Sequence, residues 1–341
     1  MWTLAGDIGG TKTFIQLAEV KKNDPQPISV FEARFDSLNY ASFTAVLEDF
    51  WRQATERLGE TPAPMSACFG VAGVIVQNRC KLTNLHWHLD GEEIAEAIGI
   101  PQVRLINDFE ATGYGLLGLG RDDLFSLQDG EPRARAPIAV IGAGTGLGQC
   151  YLTWNQHEYQ VHTSEGGHTD FAPRSTLEIE LLQHLQLKVG GRISVERIVS
   201  GMGIASIYRF LRDRASTPIH TPLAEKIAAW EKGANYDPAA LIAAAQTQDI
   251  LAQQTMEIFM QNYGAEAGNL ALKIMPYGGL YIAGGIAAKN LELMRKGDFL
   301  ESFQQKGRMR SLLQEIPIQI VLNQQVGLIG AALYAAREFS L

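Results

Sequence analysis

Three kinds of residue in this chain could carry chemistry: a lone carboxylate at the end of an apolar run, and two glycine turns that each contain a threonine. The apolar run is Val103, Leu105 and Ile106, which reads as a buried strand that stops at Asn107-Asp108. Ligands of α/β sheets sit at the carboxyl ends of strands. A carboxylate held there can take the proton from a substrate hydroxyl as its oxygen attacks a phosphoryl group. The same two residues also fit a cap on the helix opening with Phe109-Glu110-Ala111-Thr112.

The first glycine turn runs Gly6-Asp7-Ile8-Gly9-Gly10-Thr11 between apolar segments 2–5 and 14–18. This is a β-hairpin pattern with glycines at its tip. Glycine lets backbone N–H groups approach a ligand with no Cβ in the way, so the tip can cradle phosphate oxygens or serve as a plain turn. Asp7 beside it could hold Mg²⁺ through water, because Mg²⁺ dehydrates reluctantly. The second turn, Gly142-Ala143-Gly144-Thr145-Gly146-Leu147-Gly148, repeats the unit between apolar 138–141 and the segment 149–153. One strand–tip–strand unit opening each half of the chain reads as a duplication, and two such tips can grip one polyphosphate. Neither tip is a Walker A loop. Neither opens a helix with G-x-G-x-x-G, because the sixth residue from Gly142 is Leu147 and from Gly144 is Gln149.

Further candidates follow. Glu165-Gly166-Gly167-His168 can bring a carboxylate and an imidazole to one side of a tight turn, suited to vicinal hydroxyls of a sugar or merely to solvent. Ser194-Val195-Glu196-Arg197 reads as a helix start, with Glu196 an acid favoured by the helix dipole. At 278–285, a strand running into Gly284-Gly285 offers flat backbone for an adenine or ribose, or is a routine strand-to-helix turn. His86 and His88 suggest a metal, but nothing nearby completes a ligand set.

The elements that must position these residues alternate between strand and helix. Phe43, Val46, Leu47, Phe50 and Trp51 recur at helical spacing. Ser175 and Glu178 form a capping box. Phe259, Tyr263, Ala267, Leu270 and Ile274 mark a long helix ending before Pro276. Segment 118–137 is polar and turn-rich and reads as a crossing between domains, 217–245 as a surface excursion, and 327–339 as a small-residue helix that returns to the first domain. The expected domains are 1–118 with 321–341, and 119–320. With 341 residues, the chain is long enough for two substantial cores. A net charge of −8 without a Lys/Arg cluster argues against nucleic acid as a partner. Three widely spaced cysteines, no leader pattern and no membrane-length apolar run point to a cytoplasmic protein with no membrane partner.

Taken together and in this order, the motifs resemble those of the bacterial glucokinases, within the sugar-kinase, actin and heat-shock chaperone ATPase superfamily. The resemblance covers nearly the whole chain. It implies a two-domain α/β fold, actin-like with a duplicated ribonuclease H-like core and an interdomain cleft that closes on sugar. It also implies transfer of the γ-phosphoryl of ATP to the 6-hydroxyl of glucose, the opening step of glycolysis, with Mg²⁺ arriving with the nucleotide. Asp108 would be the catalytic base. Asn107, Asp108, Glu165, His168 and Glu196 would bind glucose. Gly6, Asp7, Ile8, Gly9, Gly10, Thr11, Gly144, Thr145, Gly146, Gly284 and Gly285 would bind ATP. The zinc motif CxCGxxGC of the related repressor/ORF/kinase branch is absent. A homodimer is implied, with the helix near 250–275 a candidate surface. The alternatives are a kinase of mannose, fructose or glucosamine, or a non-catalytic sugar-binding regulator; no DNA-binding helix-turn-helix fits before a strand that begins near residue 2.

Overall fold

The computed structural model describes residues 1–21, 24–82, 85–215 and 221–337. Positions 83–84, residues 217–220 of the expected surface excursion and residues 338–339 of the expected final helix lie outside them. The chain divides into two units. Met1–Leu124, Val161–Thr163 and Leu322–Leu341 form the first, and Phe125–Gln160 with Ser164–Val321 the second.

The first unit opens with antiparallel β1 (Trp2–Ile8), β2 (Lys12–Lys21) and β3 (Asp24–Asp36), followed by α1 (Phe43–Leu58). Next come β4 (Ser66–Val71), the short pair β5 (Arg79–Lys81) and β6 (His88–Asp90), α2 (Gly91–Ile98), β7 (Gln102–Asn107) and α3 (Asp108–Gly115). The sheet order is β3-β2-β1-β4-β7. Strands β1, β4 and β7 are parallel, and the register sets Ile8 beside Val71 and Val71 beside Asn107. Three strands therefore end side by side, which gathers Asp7, Gly70 and Asn107 at one edge.

Helix α1 forms because its apolar residues recur every three or four positions and its ends are capped. Ser42 accepts from Ala45 N–H, and Gly59 takes the left-handed φ of +77° that ends the helix. Its buried face, Phe43, Val46, Leu47, Phe50 and Ala54, joins the core around Leu4, Ile8 and Phe69. Each large side chain so buried contributes about 1.5–3 kcal/mol.

The second sheet opens with β8 (Leu124–Gln128), β9 (Ile138–Ala143), β10 (Leu147–Trp154) and β11 (Tyr159–Ser164), all of the second unit except Leu124 and Val161–Thr163. Helices α4 (Thr176–Val189), α5 (Gly201–Arg214), α6 (Pro222–Glu231), α7 (Pro238–Ala245) and α8 (Ile250–Ile274) follow. Then come β12 (Gly279–Ala283), α9 (Gly285–Lys289), α10 (Leu291–Arg295), α11 (Asp298–Gln304), α12 (Arg310–Gln314) and β13 (Ile318–Val321). The sheet order is β11-β10-β9-β12-β13-β8, with β9 antiparallel to β10 and β9, β12 and β13 parallel. An antiparallel hairpin continued by parallel strands thus recurs in both units. The last described element is α13 (Val326–Arg337), which belongs to the first unit.

Three sequence expectations change. Segment 118–137 is not all turn: its Leu124–Gln128 portion is edge strand β8, and buried Gln128 donates from Nε2 to the Leu313 and Ile316 carbonyls at 2.9 and 2.6 Å. Residues 194–197 hold a single 3₁₀ turn, Val195–Arg197, rather than a helix start. The helix proper, α5, begins at Gly201, because Ser200 and not Ser194 caps it by accepting from Gly203 N–H at 3.1 Å. Glu196 is therefore not a first-turn acid of α5. Finally, α8 is for the most part a core helix, with Ile250, Gln253 and Gln254 exposed near its start. Ala252, Met256, Phe259, Met260, Tyr263, Ala267 and Ala271 along it are buried in the core of its own unit. Among the described residues no helix is long and apolar enough to cross a membrane.

Candidate functional site

In the first unit, Asp108 is the first residue of α3 and Asn107 is its N-cap. Asn107 Oδ1 accepts from Phe109 N–H at 2.9 Å and Glu110 N–H at 3.3 Å, while its Nδ2 donates to the Gly73 carbonyl at 3.3 Å. Phe109 N–H also donates to Asp108 Oδ1 at 2.9 Å. The capping reading holds: Asn107 caps α3, and the cap fixes where the Asp108 carboxylate stands. Helix α3 is anchored in turn by α13. A Cβ at Gly115 would overlap the Val326 carbonyl, and one at Gly330 would overlap the Ala111 carbonyl, so only glycine permits this approach. Gly70 lies between the strand ends, where a Cβ would sit 3.8 Å from Asp108 Cα and 3.7 Å from the Gly6 carbonyl.

Asp7 is half-buried at the same edge. Burial raises its pKa to about 6, and the neighbouring Asp108 charge adds to the rise. Two crowded carboxylates form an all-oxygen donor pair that suits a hard dication. Among the described residues, no group of three or more His, Cys, Asp or Glu could hold a metal ion. At the hairpin tip, Gly9 N–H donates to the Lys12 carbonyl at 2.9 Å, whereas the N–H groups of Gly10 and Thr11 donate to nothing among the described residues.

In the second unit, the Gly144-Thr145-Gly146 tip joins β9 to β10. It is fastened at four points. Gly144 N–H donates to the Gly146 carbonyl at 2.9 Å, and the Gly144 carbonyl accepts from Gly201 N–H at 2.8 Å. Ala143 N–H donates to the Tyr263 hydroxyl at 3.1 Å, and Leu147 N–H to Glu196 Oε2 at 2.9 Å. Burial drives the Tyr263 hydroxyl far above the usual tyrosine range, so it stays neutral and accepts. Thr145 remains exposed at the apex. Glu196, expected to contact sugar, is engaged here with the tip; it also borders a cavity of about 590 Å³ with Arg197, Arg209 and Arg212.

Glu165 and His168 flank the 3₁₀ turn Gly166–His168, with His168 Nε2 3.7 Å from Glu165 Oε2 and both side chains exposed. The glycines are required: a Cβ at Gly166 would overlap the Gln149 side chain, and one at Gly167 would overlap the Leu147 carbonyl. Gln149 cannot withdraw freely, because its Nε2 donates to buried Glu266 at 2.9 Å, which also accepts from Asn269 Nδ2 at 3.0 Å. Gly167→Ala meets backbone, which cannot rotate away, so the turn itself must shift. If the turn holds sugar, the KM for glucose should rise roughly 10- to 100-fold, because a misplacement of about 1 Å costs that much. Steady-state kinetics checks this, and an unchanged KM would remove the turn from the sugar site.

Gly284 and Gly285 open α9. Gly284 has φ of +81°, and a Cβ there would meet the Ala143 carbonyl, so β12 turns into α9 against the second tip. Gly144, Thr145, Gly201, Trp230, Gly285 and Asn290 line one cavity of about 810 Å³, closed on another side by the alanines of α7. Sequence reasoning missed the wall formed by Gly201, α7 and Asn290, and it missed Gln149, Glu266 and Tyr263 as supports. Only the Gly201-x-Gly203 spacing offered a local signal.

Residues 4–338 match the family model described as glucokinase. The chain belongs to the glucokinase family. The glucokinase of Nostoc punctiforme is 52% identical over 98% of this chain and 98% of its own. The crystal structure of a glucokinase from an Antarctic psychrotroph superposes with a TM-score of 0.80 at 28% identity, covering 98% of this chain and 99% of that one. A glucokinase of the ROK family from Streptomyces griseus, solved with glucose and AMPPNP, shares the fold at a TM-score of 0.65 and 18% identity over 99% and 100% of the two chains. The chain therefore has the α/β architecture of the actin-like sugar kinases and is an ATP-dependent hexose kinase of the glucokinase family.

Proposed function

We propose that the protein transfers the γ-phosphoryl of ATP to the 6-hydroxyl of glucose, giving glucose 6-phosphate and ADP in the cytoplasm as the entry step of glycolysis. The observation that carries this reading is the joint placement, in one unit of a glucokinase-family chain, of the Asp108 carboxylate, Asp7 and a hairpin tip with two N–H groups that donate to nothing among the described residues. Phosphoryl transfer asks the protein chiefly for positioning and charge stabilisation. Gly10 and Thr11 of one tip, and Thr145 and Gly146 of the other, would offer N–H and hydroxyl donors to the phosphates, while Gly6, Ile8, Gly9 and Gly144, whose backbone is engaged within its own hairpin, shape the walls beside them. Gly285 lines the cavity that would take adenosine, and Gly284 sets the turn that leads into it. Asn107, Glu165, His168 and Glu196 orient the sugar, and Asp108 accepts the 6-hydroxyl proton. Asp7 would hold the nucleotide's Mg²⁺ through water; the ion supplies charge neutralisation on the phosphates.

The two units of the structure correspond, in this reading, to a smaller domain of about 1–118 with 321–341 and a larger one of 119–320. The active species is a homodimer, which light scattering on the purified protein would test.

The decisive experiment is a panel of glucose, mannose, fructose and glucosamine at equal concentration with ATP and Mg²⁺. The highest kcat/KM is expected for glucose. A better turnover of another hexose would reassign the substrate, and ATP hydrolysis with no sugar ester formed would overturn the kinase reading.

A further inference from the structure

Ser37 lies 26 residues beyond Thr11 in sequence, is fully buried, and makes three hydrogen bonds to the first hairpin. Its N–H donates to the Thr11 carbonyl at 3.0 Å. Its Oγ donates to the Gly9 carbonyl at 3.0 Å. Its Oγ also lies 3.0 Å from Thr13 Oγ1. A hydroxyl has one proton, and that of Ser37 goes to Gly9, so Thr13 is the donor in the third bond.

The consequence is directional. The carbonyls of Gly9 and Thr11, which flank the tip, are both drawn to Ser37. The N–H groups of Gly10 and Thr11 are left without a partner among the described residues. Successive free N–H groups with their carbonyls held elsewhere form an anion-binding concavity. Without Ser37 Oγ, the Gly9 carbonyl loses its partner and is free to rotate toward the space an anion would fill, where its negative end repels phosphate.

We infer that Ser37 is a positioning residue for the first phosphate-binding tip, holding carbonyls away from the nucleotide so that the tip presents only donors. The inference rests on the kinase reading above and concerns the phosphate half of that site. It assigns Ser37 no contact with sugar or nucleotide.

The test compares Ser37→Ala, Ser37→Thr and Thr13→Val in the full chain by calorimetric titration with Mg-ATP, titration with glucose, and thermal unfolding. Ser37→Ala should weaken Mg-ATP binding about tenfold, the size of one lost buried hydrogen bond, with glucose affinity within twofold of wild type. Ser37→Thr keeps the hydroxyl and should recover most of the lost affinity. Thr13→Val removes one of the two bonds of Ser37 Oγ but leaves Ser37 donating to Gly9, so it should lower stability by about half as much as Ser37→Ala while weakening Mg-ATP by only about twofold. A folded Ser37→Ala with wild-type Mg-ATP affinity would overturn the inference. So would equal losses of Mg-ATP affinity in Ser37→Ala and Thr13→Val, which mark a structural effect alone. Wild-type protein that binds Mg-ATP but phosphorylates no sugar would instead sink the kinase reading while the Ser37 comparison still stands.

Discussion

Asp108→Asn is expected to bind glucose with nearly unchanged affinity and to phosphorylate it about 10²–10⁴-fold more slowly, the usual contribution of a positioned general base. The substitution is chosen to isolate the proton. An amide keeps the side chain's size and an oxygen that can accept from Phe109 N–H, as Asp108 Oδ1 does at 2.9 Å. The start of α3 should survive too, because its cap is the neighbouring Asn107. Basicity is lost, together with the negative charge that Asp108 sets beside Asp7. Calorimetry with glucose followed by a coupled assay separates binding from turnover. A kcat within tenfold of wild type would remove Asp108 from the role of base. Loss of both binding and turnover would point to a positioning role.

Asp7→Asn should make the protein more stable and nearly inactive at once. Burial and the Asp108 charge raise the pKa of Asp7 from 3.8 to about 6. Because the folded value lies above the unfolded one, the protonated form is favoured by folding. That stability is fully present below about pH 3.8 and is lost as pH rises through about 6. At pH 7.5 the wild type therefore carries a penalty of about 1–3 kcal/mol that the amide does not. Thermal unfolding should show the variant ahead by a few degrees at pH 7.5 and level with wild type near pH 4. Activity should fall roughly 10²-fold, as for other single groups that stabilise developing charge. A costly carboxylate kept at the edge of a sheet is the expected pattern where function opposes stability. A variant no more stable at pH 7.5, or one that retains wild-type activity, would contradict this account.

The parts of the fold legible in sequence are those set by neighbours in the chain. Helix α1 is written in the spacing of Phe43, Val46, Leu47 and Phe50, and the two tips in their glycines, so the hairpins at Asp7 and Thr145 were readable. Asp108 was readable because β7 ends where its apolar run ends. What sequence hid is non-local. Ser37, Tyr263 and the Gln149–Glu266 pair act through hydrogen bonds spanning from 24 to 120 positions, and nothing within a local window marks them. The misplacement of the α5 start had a local cause. Ser194 and Ser200 are both plausible caps, and only the bond to Gly203 N–H decides between them. Strand β8 was hidden by its turn-rich flanks, and the burial of α8 by a periodicity that cannot tell an exposed stripe from a helix buried almost all round.

The reading depends on where the phosphoryl group ends. Phosphorus NMR of wild-type protein incubated with ATP, Mg²⁺ and glucose observes this directly. The account predicts that the γ-phosphoryl signal is replaced by a phosphomonoester on the 6-oxygen of glucose, with ATP consumed only when sugar is present. An ester at another oxygen, or release of inorganic phosphate at the same rate with and without glucose, would contradict it.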